Sequence, residues 1–326
     1  MKILIADDYQ HATARLACVA KVAAHELFIA GDLAREPDID RHLAAAEALV
    51  LIRERTNVDA ALLRRMPRLR VIGQTAKIGR NLDLAACTAA GVAVTEGVGS
   101  PIAPAEFAWL LMMAARRRFV GAVDGLYRGA WQTTIGAAMH GAVLGVLGYG
   151  KIGKLIAGFG RAFGMQVQVW GSERARSEAR AAGLVAAASR AQFFADADVV
   201  SVHLRLTPET KGSVGAADLA QMKPDALFVN TSRADLVPSG VLEAALAAGR
   251  PGFAALDVFE AEPIYDPAHP LLQMKNVLCS PHLGYVELGS YELYLGSVFD
   301  NLLRFDAGDR SHVINLQALA ASSQRS

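Results

Sequence analysis

Four ionisable side chains follow strand-like segments in the second half of the chain. Arg233 ends Asn230-Thr231-Ser232-Arg233, Asp257 ends Ala255-Leu256-Asp257, Glu262 lies five residues further on, and His282 stands in Ser280-Pro281-His282. In open parallel α/β sheets, ligands bind beyond the carboxyl ends of the strands, so these side chains share one edge. Arg233 offers a planar fork of donors that matches a carboxylate through two parallel hydrogen bonds. A buried His–Glu pair holds the imidazole in one tautomer and suits proton transfer near pH 7. Singly, each residue has an ordinary reading. Arg233 would be a surface ion pair, Glu262 a solvated carboxylate, Asp257 a cap or turn residue, and His282 a loop histidine. Their joint placement after successive strands favours the chemical reading. His203, inside Val202-His203-Leu204, reads as structural or close to a bound ligand.

Upstream lies a glycine pattern with chemistry of its own. The apolar run Ala142–Leu147 leads into Gly148-Tyr149-Gly150-Lys151-Ile152-Gly153. Beyond it Ile152, Leu155, Ile156, Phe159 and Phe163 recur at helical spacing. The glycines thus sit where a strand becomes a helix. One makes the tight turn, one lets backbone N–H groups approach a pyrophosphate, and one lets the helix pack on the strand. A helix N-terminus offers the phosphates unpaired donors and a partial positive charge. The competing reading is a turn whose glycines serve packing only.

The elements that must position these residues read as two βα series. Ile3–Ala6, Leu27–Ala30, Ala48–Ile52, Val71–Gly73 and Val92–Thr95 are strand candidates, with helical stretches at Asp59–Arg65 and Asp83–Ala90. The second series has strand candidates at Ala142–Leu147, Gln166–Trp170, Val199–Leu204, Ala226–Asn230, Phe253–Val258 and Val277–Ser280, six in all. Arg174–Ala182 and Ser239–Ala248 are helical between them. Breaker clusters at Gly97–Pro104 and Ser280–Gly284 mark candidate domain crossings. Pro104 suits the first turn of a helix running through Arg116. Arg116-Arg117-Arg118 reads as a solvated helix end, and Trp131 lies in a loop-like stretch open to an interface role. A last helix is expected to run to about Arg304, and Ala318–Ser326 is expected to fray.

The bulk properties bound the function classes. A chain of 326 residues implies two domains. A net charge of +1 points to no nucleic acid or anionic membrane. Cys18, Cys87 and Cys279 are widely spaced without metal-ligand patterns, so no metal is expected and reduced thiols in a cytoplasmic protein are. Met1–Asp7 runs straight into a strand-like segment, so no leader is expected. The apolar block from Phe107 to Ala115 is far short of the ~20 residues that span a bilayer.

Together Gly148–Gly153, His203-Leu204-Arg205-Leu206-Thr207-Pro208-Glu209-Thr210, Met222-Lys223-Pro224, Asn230–Arg233, Asp257–Pro263 and Ser280–His282 resemble the D-isomer-specific 2-hydroxyacid dehydrogenases. Arg53-Glu54-Arg55-Thr56 and Ala76-Lys77-Ile78-Gly79 extend the resemblance into the first half. It implies two Rossmann-like, doubly wound α/β domains with a cleft between them, as in formate and glycerate dehydrogenases. Residues 1–99 with 286–326 would form the substrate domain and residues 100–285 the dinucleotide-binding domain. Arg233 would bind the substrate carboxylate and carbonyl oxygen, His282 would be the acid/base, and Glu262 would orient it. Gly148 to Gly153 would hold NAD or NADP, with Gly171, Ser172, Glu173 and Arg174 at the ribose. Asp257 would bind the nicotinamide carboxamide, and Thr207, Thr231 and Gly284 would complete the cofactor contacts. Arg53 and the backbone of Lys77, Ile78 and Gly79 would take the substrate carboxylate. The partner is then a small 2-keto or 2-hydroxy acid, and the assembly a homodimer through the nucleotide domain.

Departures from the family pattern qualify this picture. Members that prefer NAD carry an acidic residue where Gly171 stands, bonded to the ribose 2′-hydroxyl. Its loss removes repulsion against a 2′-phosphate, which Ser172, Arg174 or Arg176 would bind, whereas Glu173 would restore NAD. Arg205, Ala234, Pro238 and Tyr285 also depart from the pattern, and Arg205 and Tyr285 would border the substrate. Arg53, Arg55, Lys77 and Arg80 would favour a second anionic group on the substrate. The alternative function is a dinucleotide-sensing protein resembling the C-terminal binding protein corepressors. A long disordered tail or a peptide-docking insertion would favour it, and neither is expected.

Overall fold

The computed structural model describes residues 1–322 and divides into two compact units. Residues 1–100 and the segment from 286 onward form one, and residues 101–285 the other.

The first unit carries strands β1 Lys2–Ala6, β2 Glu26–Ile29, β3 Ala48–Leu51, β4 Val71–Gln74 and β5 Ala93–Glu96. They pair in the order β2-β1-β3-β4-β5, all parallel. Every residue of β3 and β4 is buried, which is why both read as apolar runs rather than alternating patterns. Asp59 caps the helix Ala60–Arg65 by accepting from the N–H groups of Ala61 and Leu62, and Asp83 caps Leu84–Ala89 through Ala86. The helix Leu288–Asp306 returns to cover this sheet. A Cβ on Gly73 would lie 2.4 Å from Val298 Cγ1, so the glycine in β4 is what lets that helix sit close.

The chain end corrects one expectation. Instead of fraying from Ala318, it forms a helix over Gln317–Ser322 with Ala318 fully buried. Asn315 anchors it, accepting from Val94 N–H at 2.8 Å and donating to Val92 O at 2.9 Å. The rest of the expected fraying segment, 323–326, lies outside the described residues.

The second unit carries β6 Val143–Leu147, β7 Gln166–Trp170, β8 Val185–Ala186, β9 Val199–Val202, β10 Leu227–Asn230, β11 Phe253–Leu256 and β12 Val277–Cys279. Their order is β12-β11-β10-β9-β6-β7-β8, again all parallel. The six expected strands all form. The seventh, β8, is two residues long on the sheet edge, too short to stand out within the apolar stretch 184–188. Strand order reverses between β6 and β9, which is where a doubly wound sheet opens its ligand crevice.

The basic run at Arg116–Arg118 is only partly the solvated end expected. Arg117 is exposed, but Arg118 adopts a left-handed conformation (φ 56°) between two helices. Its guanidinium lies 3.2 Å from the centroid of the Phe253 ring, and burial lowers its pKa. Trp131 is 75% exposed in its loop. All three cysteines are free, and burial pushes the thiols up to about 12 for Cys18 and Cys87 and about 11 for Cys279. Among the described residues no cluster of side chains is placed to hold a metal, and no helix is long and apolar enough to cross a membrane.

Candidate active site

The glycine turn after β6 divides its three tasks cleanly. Gly148 has φ +96° and its N–H donates to Trp170 O at 2.8 Å, tying the end of β6 to the end of β7. A Cβ there would meet His203 O at 2.7 Å. A Cβ on Gly153 would lie 2.1 Å from Gly148 O, so only glycine lets the helix Lys151–Ala162 close onto the turn. A Cβ on Gly150 would have nothing within 4 Å, which leaves that face of the turn open. The helix starts at Gly150 without a side-chain cap, so its first-turn N–H groups have no side-chain acceptor. An open face, a tight turn and uncapped helix donors fit a dinucleotide pyrophosphate. Ile152 packs against the core, while Lys151 is exposed and Lys154 lies 5.5 Å from the Tyr149 ring.

His203 lies behind this turn. Its backbone N–H donates to Leu147 O at 2.7 Å, its Nε2 is 2.8 Å from Ser201 Oγ, and burial pushes its pKa down to about 4. A histidine kept neutral in this way is a structural part of the turn.

At the end of β7, Gly171 places its Cα side against the same turn, where a Cβ would meet Ala175 Cβ at 3.2 Å and Gly148 Cα at 3.7 Å. Ser172 caps the following helix through Ala175 N–H. Glu173 is occupied on both oxygens, by Arg176 at 2.6 Å and Arg180 at 2.7 Å. Arg174 bonds Glu178 at 2.8 Å, and Arg176 lies 4.7 Å over the Trp170 ring.

The acid–base residues meet beyond the ends of β11 and β12. His282 Nδ1–H donates to Glu262 Oε2 at 2.6 Å, and both side chains are mostly buried. The other Glu262 oxygen accepts from Phe259 N–H at 2.8 Å, which fixes the carboxylate's orientation. His282 itself has φ 54°, a left-handed conformation that a histidine adopts at some cost. Tyr285, buried, stands edge-on to it with ring centroids 5.8 Å apart.

Asp257 explains how that turn is held. Its Oδ1 accepts from Ser280 Oγ at 2.7 Å and Leu283 N–H at 2.7 Å, and its Oδ2 accepts from Gly284 N–H at 2.9 Å. The residue is 1% exposed. Burial raises its pKa, opposed by the three hydrogen bonds and the nearby His282. Its visible work is to clamp the residues around His282. Nothing in the sequence singled out Ser280 as a member of that clamp, although it stands in the same motif.

Arg233 is placed by its own turn. Asn230 accepts from Ser232 N–H and donates to Arg233 O at 2.9 Å, while Arg233 Nη1 donates to Ser232 O at 2.7 Å. Thr231 lies half-buried in the same turn. Thr207 N–H donates to Thr210 Oγ1 at 2.8 Å in a separate loop beyond β9, beside exposed Arg205.

In the first unit, the Lys77–Gly79 loop already holds a carboxylate. Glu96, ending β5, pairs with Lys77 Nζ through one oxygen and accepts from Ile78 N–H at 3.0 Å through the other. Glu54 lies against Gly79, where a Cβ would be 2.4 Å from its carboxyl carbon. Arg53 has φ 64° at the end of β3, its N–H donating to Thr75 Oγ1 at 2.7 Å. The charge of Lys77 is therefore paired with Glu96, a pairing invisible in sequence because Glu96 lies on another strand.

Comparison with known proteins gives a consistent picture. Residues 109–284 match the model of the NAD binding domain of D-isomer specific 2-hydroxyacid dehydrogenases. The chain is 38% identical over 235 residues to the glyoxylate reductase of Aeropyrum pernix, covering 69% of this chain and 70% of that one. It is 38% identical over 255 residues to the D-3-phosphoglycerate dehydrogenase of Mycobacterium bovis, covering 76% of this chain but only 47% of the longer relative. Among solved structures, phosphoglycerate oxidoreductase from Vibrio cholerae superposes with a TM-score of 0.91 at 46% identity, covering 94% of this chain and 99% of that one. An oxidoreductase from Ralstonia solanacearum gives 0.93 at 48% identity, covering 98% of both chains.

Proposed function

Because the chain belongs to the D-isomer specific 2-hydroxyacid dehydrogenases, NAD(P)-dependent oxidoreductases of the CH–OH group, we propose that it interconverts a small 2-keto acid and its D-2-hydroxy acid through Arg233, His282 and Glu262. The observation that carries this reading is the 2.6 Å contact between His282 Nδ1 and Glu262 Oε2, built at the strand ends of a dinucleotide-type sheet. With Nδ1–H committed to Glu262, the proton passes at Nε2. In reduction, protonated His282 donates to the carbonyl oxygen as negative charge builds there, and Arg233 stabilises that charge. Glu262 keeps the imidazole in one tautomer and balances the imidazolium. The nicotinamide, when bound, supplies or accepts the hydride. Gly148–Gly153 hold its pyrophosphate, while Asp257 keeps the His282 turn in shape. In the first unit, Arg53 and the Lys77–Gly79 loop are proposed for the substrate carboxylate, which would take over the donors that Glu96 now holds.

The chain is further proposed to act as a homodimer through its nucleotide-binding unit. Leu126, Tyr127, Trp131 and Ile135 are 54%, 86%, 75% and 94% exposed, an apolar run that a second copy would cover. Its three free thiols, all raised by burial, fit a reducing compartment such as the cytoplasm. The test is turnover of glyoxylate and hydroxypyruvate by His282→Ala and Arg233→Ala. Both are expected to keep the fold and lose activity by at least about 10²-fold, and near-normal activity in both would sink the assignment.

A further inference from the structure

We infer that Thr75, Gln74 and Asn81 are positioning residues for substrate recognition, because they close a ring of hydrogen bonds that presents Arg53 in one conformation. The inference rests on the reading that Arg53 binds the substrate carboxylate and deepens it. The strand order of the first unit, β2-β1-β3-β4-β5, reverses between β1 and β3. A sheet of this order opens its ligand crevice there. Asp7 follows β1, and Arg53-Glu54-Arg55-Thr56 lies just beyond β3, so the segment stands at that crevice.

Both ends of the segment are tied by buried side chains. At its start, Arg53 N–H donates to Thr75 Oγ1 at 2.7 Å, and Arg53 O accepts from Gln74 Nε2 at 2.8 Å. At its end, Thr56 N–H and Oγ1 donate to the two oxygens of Asp7 at 3.1 and 2.9 Å, and Thr56 O accepts from Asn81 Nδ2 at 3.2 Å. Asn81 Nδ2 also donates to Gln74 Oε1 at 3.4 Å, which joins the two ends. Gln74 and Thr75 are fully buried, and Asp7 and Asn81 nearly so. A satisfied polar network of this kind rigidifies the chain and specifies one arrangement.

The backbone of Arg53 shows what the ring is for. Its φ of 64° is a conformation that a residue with a side chain keeps only where the surroundings over-determine it. A guanidinium that pairs with a carboxylate through two parallel hydrogen bonds is directional, so it needs a fixed base. Thr75 is the point at which that base can be released. Its hydroxyl hydrogen donates to Leu51 O at 3.0 Å, which leaves its lone pairs for Arg53 N–H. Leu51 O also accepts from Thr75 N–H at 3.1 Å. Removing the hydroxyl therefore takes the acceptor from one group alone, Arg53 N–H. Arg53 is half-buried, so that N–H can turn to water once the left-handed conformation is given up.

Steady-state reduction of glyoxylate and hydroxypyruvate at saturating reduced dinucleotide tests this with Arg53→Ala, Thr75→Val, Thr75→Ser and the double variant Arg53→Ala/Thr75→Val. Thr75→Val keeps the shape of the side chain. It should raise the keto-acid KM about tenfold, with kcat and the dinucleotide Kd within about twofold of wild type. Thr75→Ser keeps the acceptor and should bring the KM back to within about threefold. Arg53→Ala should raise the KM at least as far, and Thr75→Val should add nothing to it. If Thr75→Val does not fold, Gln74→Met, which removes the donor to Arg53 O, takes its place with the same expected split. An unchanged KM in Thr75→Val, or a full further rise in the double variant, overturns the positioning role and leaves Arg53 as a substrate ligand. An unchanged KM in Arg53→Ala overturns the reading of Arg53 itself, and no turnover by wild type overturns the function proposal beneath both.

Discussion

Replacing Asp257 by Ala should cost both stability and turnover, by amounts set by its three accepted hydrogen bonds. The substitution leaves Ser280 Oγ, Leu283 N–H and Gly284 N–H without their acceptor around a residue that is 1% exposed. An unsatisfied buried donor costs about 1–3 kcal/mol. Ser280 Oγ can turn to Leu256 O, 3.2 Å away, so the two backbone groups dominate, for a loss of about 2–6 kcal/mol. Removing a buried carboxylate returns part of that, because burial works against its ionised form. A net loss of about 1–4 kcal/mol is expected in urea unfolding. The turn is also what keeps His282 at φ 54°, a conformation worth about 1–3 kcal/mol of strain. Once released, the imidazole drifts from its working position, and a misplacement of about 1 Å lowers kcat roughly 10²-fold. Asp257→Asn keeps one acceptor oxygen but sets an NH2 group against a backbone N–H, and should fall between wild type and Asp257→Ala. If Asp257 served the nicotinamide alone, the Kd for dinucleotide would rise while the unfolding midpoint stayed put. That result, or unchanged kcat in Asp257→Ala, would refute the clamp.

Two further substitutions separate packing from ligand contact in the glycine turn. Gly150→Ala meets no atom within 4 Å, so its melting temperature should stay near wild type while the Kd for dinucleotide rises at least about tenfold; Gly153→Ala puts a methyl 2.1 Å from Gly148 O and should lose both stability and binding. Equal melting temperatures for the two would contradict the division of labour. Asp7 gives the pH dependence of the first unit. Burial raises its pKa to about 6 from an unfolded value of 3.8, so its contribution to stability is full below about pH 4 and lost as pH rises through 6, by on the order of 3 kcal/mol. Asp7→Asn, which tolerates the left-handed φ of 70°, should flatten that slope in urea titrations at about pH 4.5 and 7.5; an unchanged slope would remove Asp7 as its source.

Much of the fold was legible because parallel strands buried on both faces leave uninterrupted apolar runs, as at Ala48–Leu51 and Leu227–Asn230. The two-residue strand Val185–Ala186 and the helix Phe119–Tyr127 were not legible, since neither carries enough periodic residues to outweigh its surroundings. The His282–Glu262 pair was legible because strand ends converge on one edge, so residue type and position alone brought the two together. The partners of Asp257 and Lys77 were not. Ser280, Gly284 and Glu96 reach them across the sheet, and only strand register decides which polar groups meet. The chain end was misread because Ala318 and its neighbours are small, and burial under an Asn315 anchor leaves no mark in composition.

The most direct test is single-turnover reduction of glyoxylate and hydroxypyruvate by saturating reduced dinucleotide, followed through the loss of nicotinamide absorbance. Wild type, His282→Ala and Arg233→Ala should bind the dinucleotide with similar Kd. Both variants should be slowed in the chemical step by about 10²–10⁴-fold, and wild-type hydroxypyruvate product should have the D configuration. Turnover in His282→Ala within a few-fold of wild type, or an L product, would contradict the assignment of this strand-end cluster to D-2-hydroxy acid chemistry.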